Sequence, residues 1–382
     1  MKAIFLIIII FFTACNKPGD KFSNLETVFI DLETESITDA ADFIEKIEIV
    51  PLETIPASLI SQFNKAYYCK DLESYIILDN HQIVYLFNKD GKFMSSSERV
   101  RGQGPGEYQL IVDVAYNPFS QAIELLDPYG SVYRYDSFFN FMDKLTLKQK
   151  NIVFSELIPL NEYKYIFTDA IVPLLHFCDF SNQTIEKTIN FETEYIASVS
   201  QDTKSYSMID NNVYYFSPHG INYLLYKIDI YKKSLRPVIH LDFGDRNIDK
   251  KMIKSKFGEP RNTEENIKFK KEVNEYLLNS NYPLTMIKLF NDDYIYLRIL
   301  QDKNWTNLIY NRKTKESFYM VKKSPFRLCY CIDLVDNILL TLLYPYEIDN
   351  YIDKKLINKE NMEKLESIVT EDNPIIIKYY LK

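Results

Sequence analysis

The sequence is poor in glycine and histidine, and it lacks the short motifs that mark common catalytic sites. Its 382 residues include nine glycines, one tryptophan and four histidines, and no two histidines have the i,i+4 spacing of a helical metal site. Neither G-x-S-x-G nor H-E-x-x-H occurs. These absences disfavour an esterase-type hydrolase and a zinc protease, and we expect no bound metal and no cofactor.

Positive charge is also scarce. The chain has 45 Lys and Arg against 53 Asp and Glu, a net charge of −8. Without Lys2, which lies in a predicted signal peptide, 44 basic residues remain and the net charge is −9. Phosphate binding needs clustered basic residues, so we expect no nucleic-acid partner. After the first fifteen residues no apolar run approaches the length of a membrane span.

The first fifteen residues, MKAIFLIIIIFFTAC, have a basic start, an apolar run of nine residues and small residues before a cysteine. They resemble a bacterial lipoprotein signal, which implies that residues 1–14 are removed and that Cys15 is lipidated. Asn16 follows the cysteine, and the resemblance then favours the outer membrane, on its periplasmic or its outer side. Residues 15–40 would be the lipidated cysteine and a polar tether. The alternative is a buried N-terminal strand with an incidental cysteine.

Four cysteines remain beyond the signal, and none forms a C-x-x-C pair, which disfavours zinc. Cys329 and Cys331 would lie on the same face of a strand, where they are badly placed to bridge each other. We therefore expect buried free thiols at the four positions, although an exported chain can form disulfides. The four are Cys69, Cys178, Cys329 and Cys331.

An internal repeat predicts the fold. Residues 75–94 align without a gap on residues 123–142 at an offset of 48, and Asp79 meets Asp127 in this alignment. Each unit contains three short strands separated by turns, and the recurring aspartates suit a turn-stabilising role. Weaker units follow at 163–189, 211–239, 292–321, and 336–348 with 373–382. This period is typical of four-stranded propeller blades.

The six units predict an all-β, six-bladed β-propeller over residues 41–382. The apolar strand at 47–54 precedes the first unit, and it would close the ring by pairing with the last blade. Helical periodicity interrupts the pattern twice, and we expect two short helical insertions at about 248–281 and 349–371. Their apolar stripes are expected to pack on the propeller, although an exposed stripe would indicate a partner-binding face. The stripes are Phe269, Val273, Tyr276 and Leu277, and Met362, Leu365 and Val369.

Three of the nine glycines fall in one loop, RGQGPGEY, at 101–108. No helix and no Lys-Ser/Thr pair follows, so a phosphate-binding loop is disfavoured. The loop would lead from the outer strand of blade one (92–100) to the inner strand of blade two (110–116). Two roles remain open for it. Arg101 and Glu107 could hold the loop by an ion pair or by backbone hydrogen bonds, or Arg101, Gln103, Glu107 and Tyr108 could contact a ligand at the channel mouth.

The segments KIEIVPLET, RGQGPGEY and EDNPIIIKYYLK, together with the lipoprotein start, carry a resemblance over nearly the whole chain. The chain resembles the six-bladed, NHL-like β-propeller lipoproteins of Gram-negative gut-type bacteria. The resemblance implies the fold and an address in the cell envelope, but no activity.

Three functions are compatible with these features. The first is a non-enzymatic, membrane-anchored module that binds a glycan, a peptide or an envelope protein. The second is a carbohydrate-active hydrolase or lyase, which would need two or three convergent carboxylates or a His-Tyr-Arg cluster at the central channel. The third is a scaffold that uses the inserted helices as its contact face.

Overall fold

The computed structural model describes residues 25–33, 39–149, 151–191, 204–210, 213–248, 250–259, 263–321, 326 and 328–382. In chain order its strands are β1 Glu26–Phe29, β2 Ile44–Pro51, β3 Phe63–Cys69, β4 Ser74–Asp79, β5 Val84–Asn88, β6 Phe93–Ser96, β7 Asp113–Asn117, β8 Ala122–Leu126, β9 Ser131–Tyr135, β10 Phe141–Thr146, β11 Phe154–Pro159, β12 Lys164–Asp169, β13 Leu174–Asp179, β14 Thr184–Asn190, β15 Tyr206–Asp210, β16 Val213–Phe216, β17 Leu224–Asp229, β18 Ser234–Asp242, β19 Leu284–Phe290, β20 Tyr294–Gln301, β21 Asn304–Asn311, β22 Ser317–Met320, β23 Asp333–Val335, β24 Ile338–Leu343 and β25 Ile375–Leu381. The helices are α1 Ala40–Phe43, α2 Lys250–Phe257, α3 Thr263–Leu278 and α4 Lys359–Glu366.

These strands form six small sheets in a ring, antiparallel except for the edge strand β1, and this is the predicted six-bladed β-propeller. Blades 1 to 5 begin at β3, β7, β11, β15 and β19, and each runs from an inner to an outer strand in chain order. Blade 6 has the order β23-β24-β25-β2, so the predicted closing strand pairs with the last strand of the chain. This pairing joins the two ends of the ring and leaves blade 6 with four strands, like its neighbours.

The core consists of six apolar clusters, one between each pair of neighbouring blades. Side chains of a strand point alternately to its two faces, and here both faces pack on a blade. Middle strands are therefore buried on both faces and mostly apolar, and all six residues of β4 are buried. Most of the abundant Tyr and Phe serve this packing, since the largest fully buried side chains are all aromatic. The four cysteines are buried and free, as expected.

Each sequence repeat begins at the second strand of a blade. The units at 75–94 and 123–142 start in β4 and β8, and the inner strands β3 and β7 precede them. The recurring aspartates do stabilise turns, because the Asp79 carboxylate accepts backbone hydrogen bonds from His81 and Ile83, and Asp127 accepts one from Tyr129. The aligned repeat units do not include the inner strands, which carry polar residues that face the channel.

Helices occur in both predicted insertions. The apolar stripe of α3 packs on the core between blades 4 and 5, where Val273 and Leu277 are buried. In blade 6, Asn361 of α4 is buried and accepts a hydrogen bond from the Ile49 amide of β2. Val369 does not share the predicted stripe, because α4 ends at Glu366 and leaves Val369 56% exposed. An exposed stripe on either helix would support the scaffold hypothesis, and the α3 stripe, which packs on the core, gives no such support.

The segment predicted as a tether contributes a strand. β1 pairs in parallel with β18 and adds a fifth strand to the outer edge of blade 4. Glu26 of β1 accepts a hydrogen bond from the Arg312 guanidinium at 2.7 Å, and Lys315 bonds to the same carboxylate at 2.8 Å. β1 is therefore fastened to blades 4 and 5. Cys15 and the signal lie outside the described residues.

Candidate functional site

A cavity of about 780 Å³ opens at the centre of the ring, on the face where the inner strands end. We call this the cavity face, and the opposite one, where the inner strands begin, the loop face. The cavity has the size of a small-ligand pocket. Its lining includes five tyrosines and five aspartates but only two lysines, namely Tyr67, Tyr68, Tyr116, Tyr206, Tyr214, Asp71, Asp292, Asp293, Asp333, Asp336, Lys70 and Lys204.

The rim of the cavity carries exposed charges. Lys70 pairs with Asp336 at 2.6 Å, and Asp293 pairs with Lys313 at 2.8 Å. Asp292 accepts a hydrogen bond from the Tyr215 hydroxyl at 2.6 Å. Exposed pairs of this kind are screened by water and exchange partners readily. The rim therefore presents carboxylate oxygens that an incoming ligand can reach.

The floor is an aromatic cage that holds an ammonium group. The Lys204 Nζ lies 3.3 Å from the ring centroid of Tyr67 and 5.8 Å from that of Tyr206, which is cation–π geometry. Burial lowers the pKa of Lys204, and the nearby Asp333 opposes this effect. Burial raises the pKa of Asp333, because it disfavours the charged carboxylate. This carboxylate accepts backbone hydrogen bonds from Tyr68 and Leu334. The floor thus accommodates a cation among tyrosine rings and one carboxylate.

Next to the floor, a buried ionic cluster joins the inner strands of blades 1, 2 and 3. Lys65 donates to Asp113 at 2.5 Å and to Glu156 at 3.1 Å, and all three side chains are at most 6% exposed. Asp113 also accepts from the Leu157 amide, and Glu156 from the Ser205 amide. His219 lies 3.7 Å from Glu156. The two carboxylates are saturated with donors, which suits a structural clasp.

The cluster shifts the titration of its members. Burial lowers the pKa of Lys65, but Asp113 and Glu156 outweigh it, so that the pKa is raised. Burial raises the pKa of Asp113 to about 6. Burial also acts to raise the pKa of Glu156, yet Lys65, His219 and Ser205 lower it below its usual range. Lys65 and Glu156 consequently stay charged at neutral pH.

The glycine loop lies on the loop face, and its residues do not line the cavity. Tyr108 is fully buried, and its hydroxyl bonds to Ser97 and to the Gln82 carbonyl. The Glu107 carboxylate accepts a hydrogen bond from the Gly104 amide at 2.8 Å. It occupies the space that a Cβ at Gly102 would need. Of the two roles that the sequence left open, Glu107 therefore fills the first, because it holds the loop through a backbone hydrogen bond.

Arg101 and Gln103 are exposed on the same loop. Within the described ranges no ion pair joins Arg101 to Glu107. Gly106 adopts a φ of +78°, and the Phe141 ring packs against its Cα, so glycine is required there for both reasons. A ligand contact by Arg101, Gln103, Glu107 and Tyr108 stays a prediction.

The sequence did not single out Lys204, Tyr67 or Asp333, which form the floor of the cavity. One signal was present, because the repeat offset of 48 aligns Lys65 with Asp113 and marks both as channel-facing positions. No group of three His, Cys, Asp or Glu that could hold a metal occurs in the part of the chain that the structure describes. Nor is any helix in those ranges both long and apolar enough to cross a membrane.

Comparison with known proteins agrees with the fold. A family described as a domain of unknown function, DUF4934, matches residues 25–380. A crystal structure of a Bacteroides fragilis protein described as exported is similar over 94% of this chain and 99% of its own, with a TM-score of 0.68 and 16% identity. The C-terminal WD40 domain of Sif2 matches 73% of this chain and 59% of its own, at a TM-score of 0.32 and 10% identity. A search of curated proteins finds no match.

Proposed function

The chain belongs to the DUF4934 family, and we propose that it is a non-enzymatic binding module of the cell envelope whose ligand enters the central cavity. The ligand is a peptide segment that carries a primary amine, such as a lysine side chain. The observation that carries this proposal is the cage at the cavity floor, where an ammonium group already lies on Tyr67.

The charge of the cavity favours a cationic ligand. Five aspartates and two lysines line it, so the lining has an excess of three negative charges when all are ionised. Clefts lined by one sign of charge concentrate ligands of the opposite sign. The tyrosine rings add cation–π attraction, which is stronger where water is excluded.

Lys204 acts as an internal occupant of the cage. Its ammonium group makes cation–π contacts with the Tyr67 and Tyr206 rings and lies near Asp333. Because burial lowers its pKa, the group is held at a cost in hydration free energy. An incoming amine can take its place when Lys204 turns toward solvent.

The buried carboxylates of the channel do not supply the pair that a hydrolase needs. A glycosidase needs two carboxyl groups that reach the scissile bond. Asp113 and Glu156 are at most 3% exposed, and Lys65 bridges them. Neither has an oxygen free to protonate a leaving group.

Anchoring at the outer membrane through a lipid on Cys15 is part of the proposal. The lipoprotein-like start supports it, as does the relative described as exported.

The first described strand begins near the cavity. Arg312, which binds Glu26 of β1, also donates to the Asn291 carbonyl, and Asn291 lines the cavity. The ten Cα–Cα steps from Cys15 to Leu25 can span at most about 35 Å. The cavity would therefore lie close to the membrane.

Calorimetric titration of the full chain with the tripeptide Gly-Lys-Gly, blocked at both ends, tests the proposed ligand class. We expect saturable binding, and at least tenfold weaker binding of the same peptide with an acetylated lysine, because acetylation removes the charge. Asp71→Asn and Tyr206→Leu should each weaken binding. Asp90→Asn is the matched control, since Asp90 is exposed on a blade 1 turn outside the cavity.

Lys204→Met makes the test sharper. If Lys204 competes with the ligand, this variant binds the lysine peptide more tightly than the wild type. Equal affinity for the charged and acetylated peptides, or weaker binding by Lys204→Met with the fold intact, would contradict the proposed site.

A further inference from the structure

On the loop face, the only tryptophan of the chain lies against an arginine. The Arg298 guanidinium carbon lies 4.3 Å from the Trp305 ring centroid and 5.2 Å from that of Tyr330. Arg298 comes from β20, Trp305 from the start of β21, and Tyr330 from the connection between blades 5 and 6. Both rings are thus within cation–π distance of the guanidinium at the junction of these blades.

The guanidinium carries a charge that the described residues do not neutralise. No carboxylate within the described ranges forms an ion pair with Arg298, and its Nε is buried without a hydrogen-bond acceptor. An unpaired donor of a charged group is costly to bury. Stacking on rings uses the faces of the guanidinium, and its two terminal NH2 groups, which are not among the buried unpaired atoms, remain available for an anion.

Trp305 offers an apolar platform beside that charge. It is 40% exposed, although indole rings are usually well buried. The row of rings continues from Tyr330 through Phe63 and Tyr344 to Tyr346, with neighbouring centroids 5.7–6.3 Å apart. Tyr346 at the far end is 72% exposed. Stacking on Tyr344 holds the Tyr346 ring, and contact with Arg298 holds the Trp305 ring.

We propose that Arg298 and Trp305 form a binding site for an acidic saccharide. The sugar carboxylate pairs with the two terminal NH2 groups of Arg298, and the apolar face of a sugar ring stacks on the exposed side of Trp305. Planar guanidinium groups match carboxylates with two parallel hydrogen bonds. Tyr346 supplies a second stacking surface for a longer chain. This site is separate from the cavity, because it lies on the opposite face.

The single tryptophan makes the site directly observable. Titrating the full chain with oligogalacturonate should change the intensity and the wavelength of tryptophan emission, with no other indole contributing. The methyl-esterified oligomer should bind at least tenfold more weakly, because esterification removes the charge and keeps the sugar ring. This comparison changes only the ligand, so it does not depend on the folding of a variant.

Variants locate the two contacts. Arg298→Gln should abolish the preference for the acid over the ester. Trp305→Phe should weaken binding of the acid and of the ester, and calorimetry measures this because the variant has no tryptophan emission. Tyr231→Ala is the matched control, since Tyr231 is 81% exposed but lies on a blade 4 turn of the cavity face, and it should bind like the wild type.

Three results would overturn the proposal. The first is equal binding of acid and ester, and the second is heat of binding without any change in tryptophan emission. The third is binding of a sulfated oligosaccharide alone, which would assign the site to sulfate and not to a carboxylate.

Discussion

The side chains of Lys65 and Asp113 meet at 2.5 Å in the channel, although 48 residues separate them. That separation equals the offset of the sequence repeat, so the two residues occupy equivalent positions on the inner strands of consecutive blades. Opposite charges at one repeat position thus join blades 1 and 2 by a buried ion pair. The Lys65 Nζ also donates to Glu156 Oε1 of blade 3 at 3.1 Å.

Lys65→Met should destabilise the fold strongly. The change leaves Asp113 and Glu156 buried without a cation, and loss of one partner from a buried pair costs about 3–5 kcal/mol. Urea unfolding at pH 7 measures the free energy of unfolding. The variant that also carries Asp113→Asn and Glu156→Gln should recover much of the loss, because no buried charge then remains. Equal loss in the single and triple variants would show that packing, and not charge, is responsible.

Gly102→Ala should cost about 1–2 kcal/mol of stability, because its Cβ would displace the Glu107 carboxylate from the Gly104 amide. In the Glu107→Ala background the same change should cost much less, since the obstructing carboxylate is gone. Gly106→Ala is the contrast. Its positive φ and its contact with Phe141 do not involve Glu107, so Glu107→Ala should not rescue it. Additive losses for Gly102→Ala and Glu107→Ala would contradict this account.

Glu124 should make the protein less stable as pH rises toward 8. Burial raises its pKa to about 8, although Tyr165 and Asn117 donate hydrogen bonds to it. In the unfolded chain the group releases its proton near pH 4.5. Between pH 4.5 and 8 the native state therefore binds more protons than the unfolded state, and stability falls as pH rises.

Glu124→Gln removes this proton linkage. Relative to the wild type, it should gain about 1–3 kcal/mol of stability between pH 5 and pH 8, as measured by urea unfolding at each pH. Asp90→Asn, at an exposed position, is the control and should leave the pH profile unchanged. A pH profile of Glu124→Gln parallel to that of the wild type would exclude Glu124 as its source.

Cys15→Ala tests the anchor. We expect the wild type in the membrane fraction, released by detergent and labelled by a radioactive fatty acid. The variant should lose the label and leave the membrane fraction. Retention of the unlabelled variant in the membrane would mean that something other than a lipid on Cys15 holds the protein there.

The sequence alone determined the repeating unit. Asp79, Asp127 and Gly91 define turns through local hydrogen bonds and a positive φ, and these effects act within a few residues. The period of these strands and turns is typical of propeller blades, and six such units predicted the ring and its closure by β2. The α3 stripe was readable for the same reason, since helical periodicity is local.

Only the tertiary structure decided where the sites lie. Asp333 accepts a hydrogen bond from the Tyr68 amide across 265 residues, and Lys204 reaches Tyr67 from another blade. Arg298 and Trp305 are close in sequence, but the unpaired state of the guanidinium depends on every element packed around it. The physical reason is that strand patterns specify which residues are buried, whereas the partners of a channel-facing side chain are set by the closure of the ring.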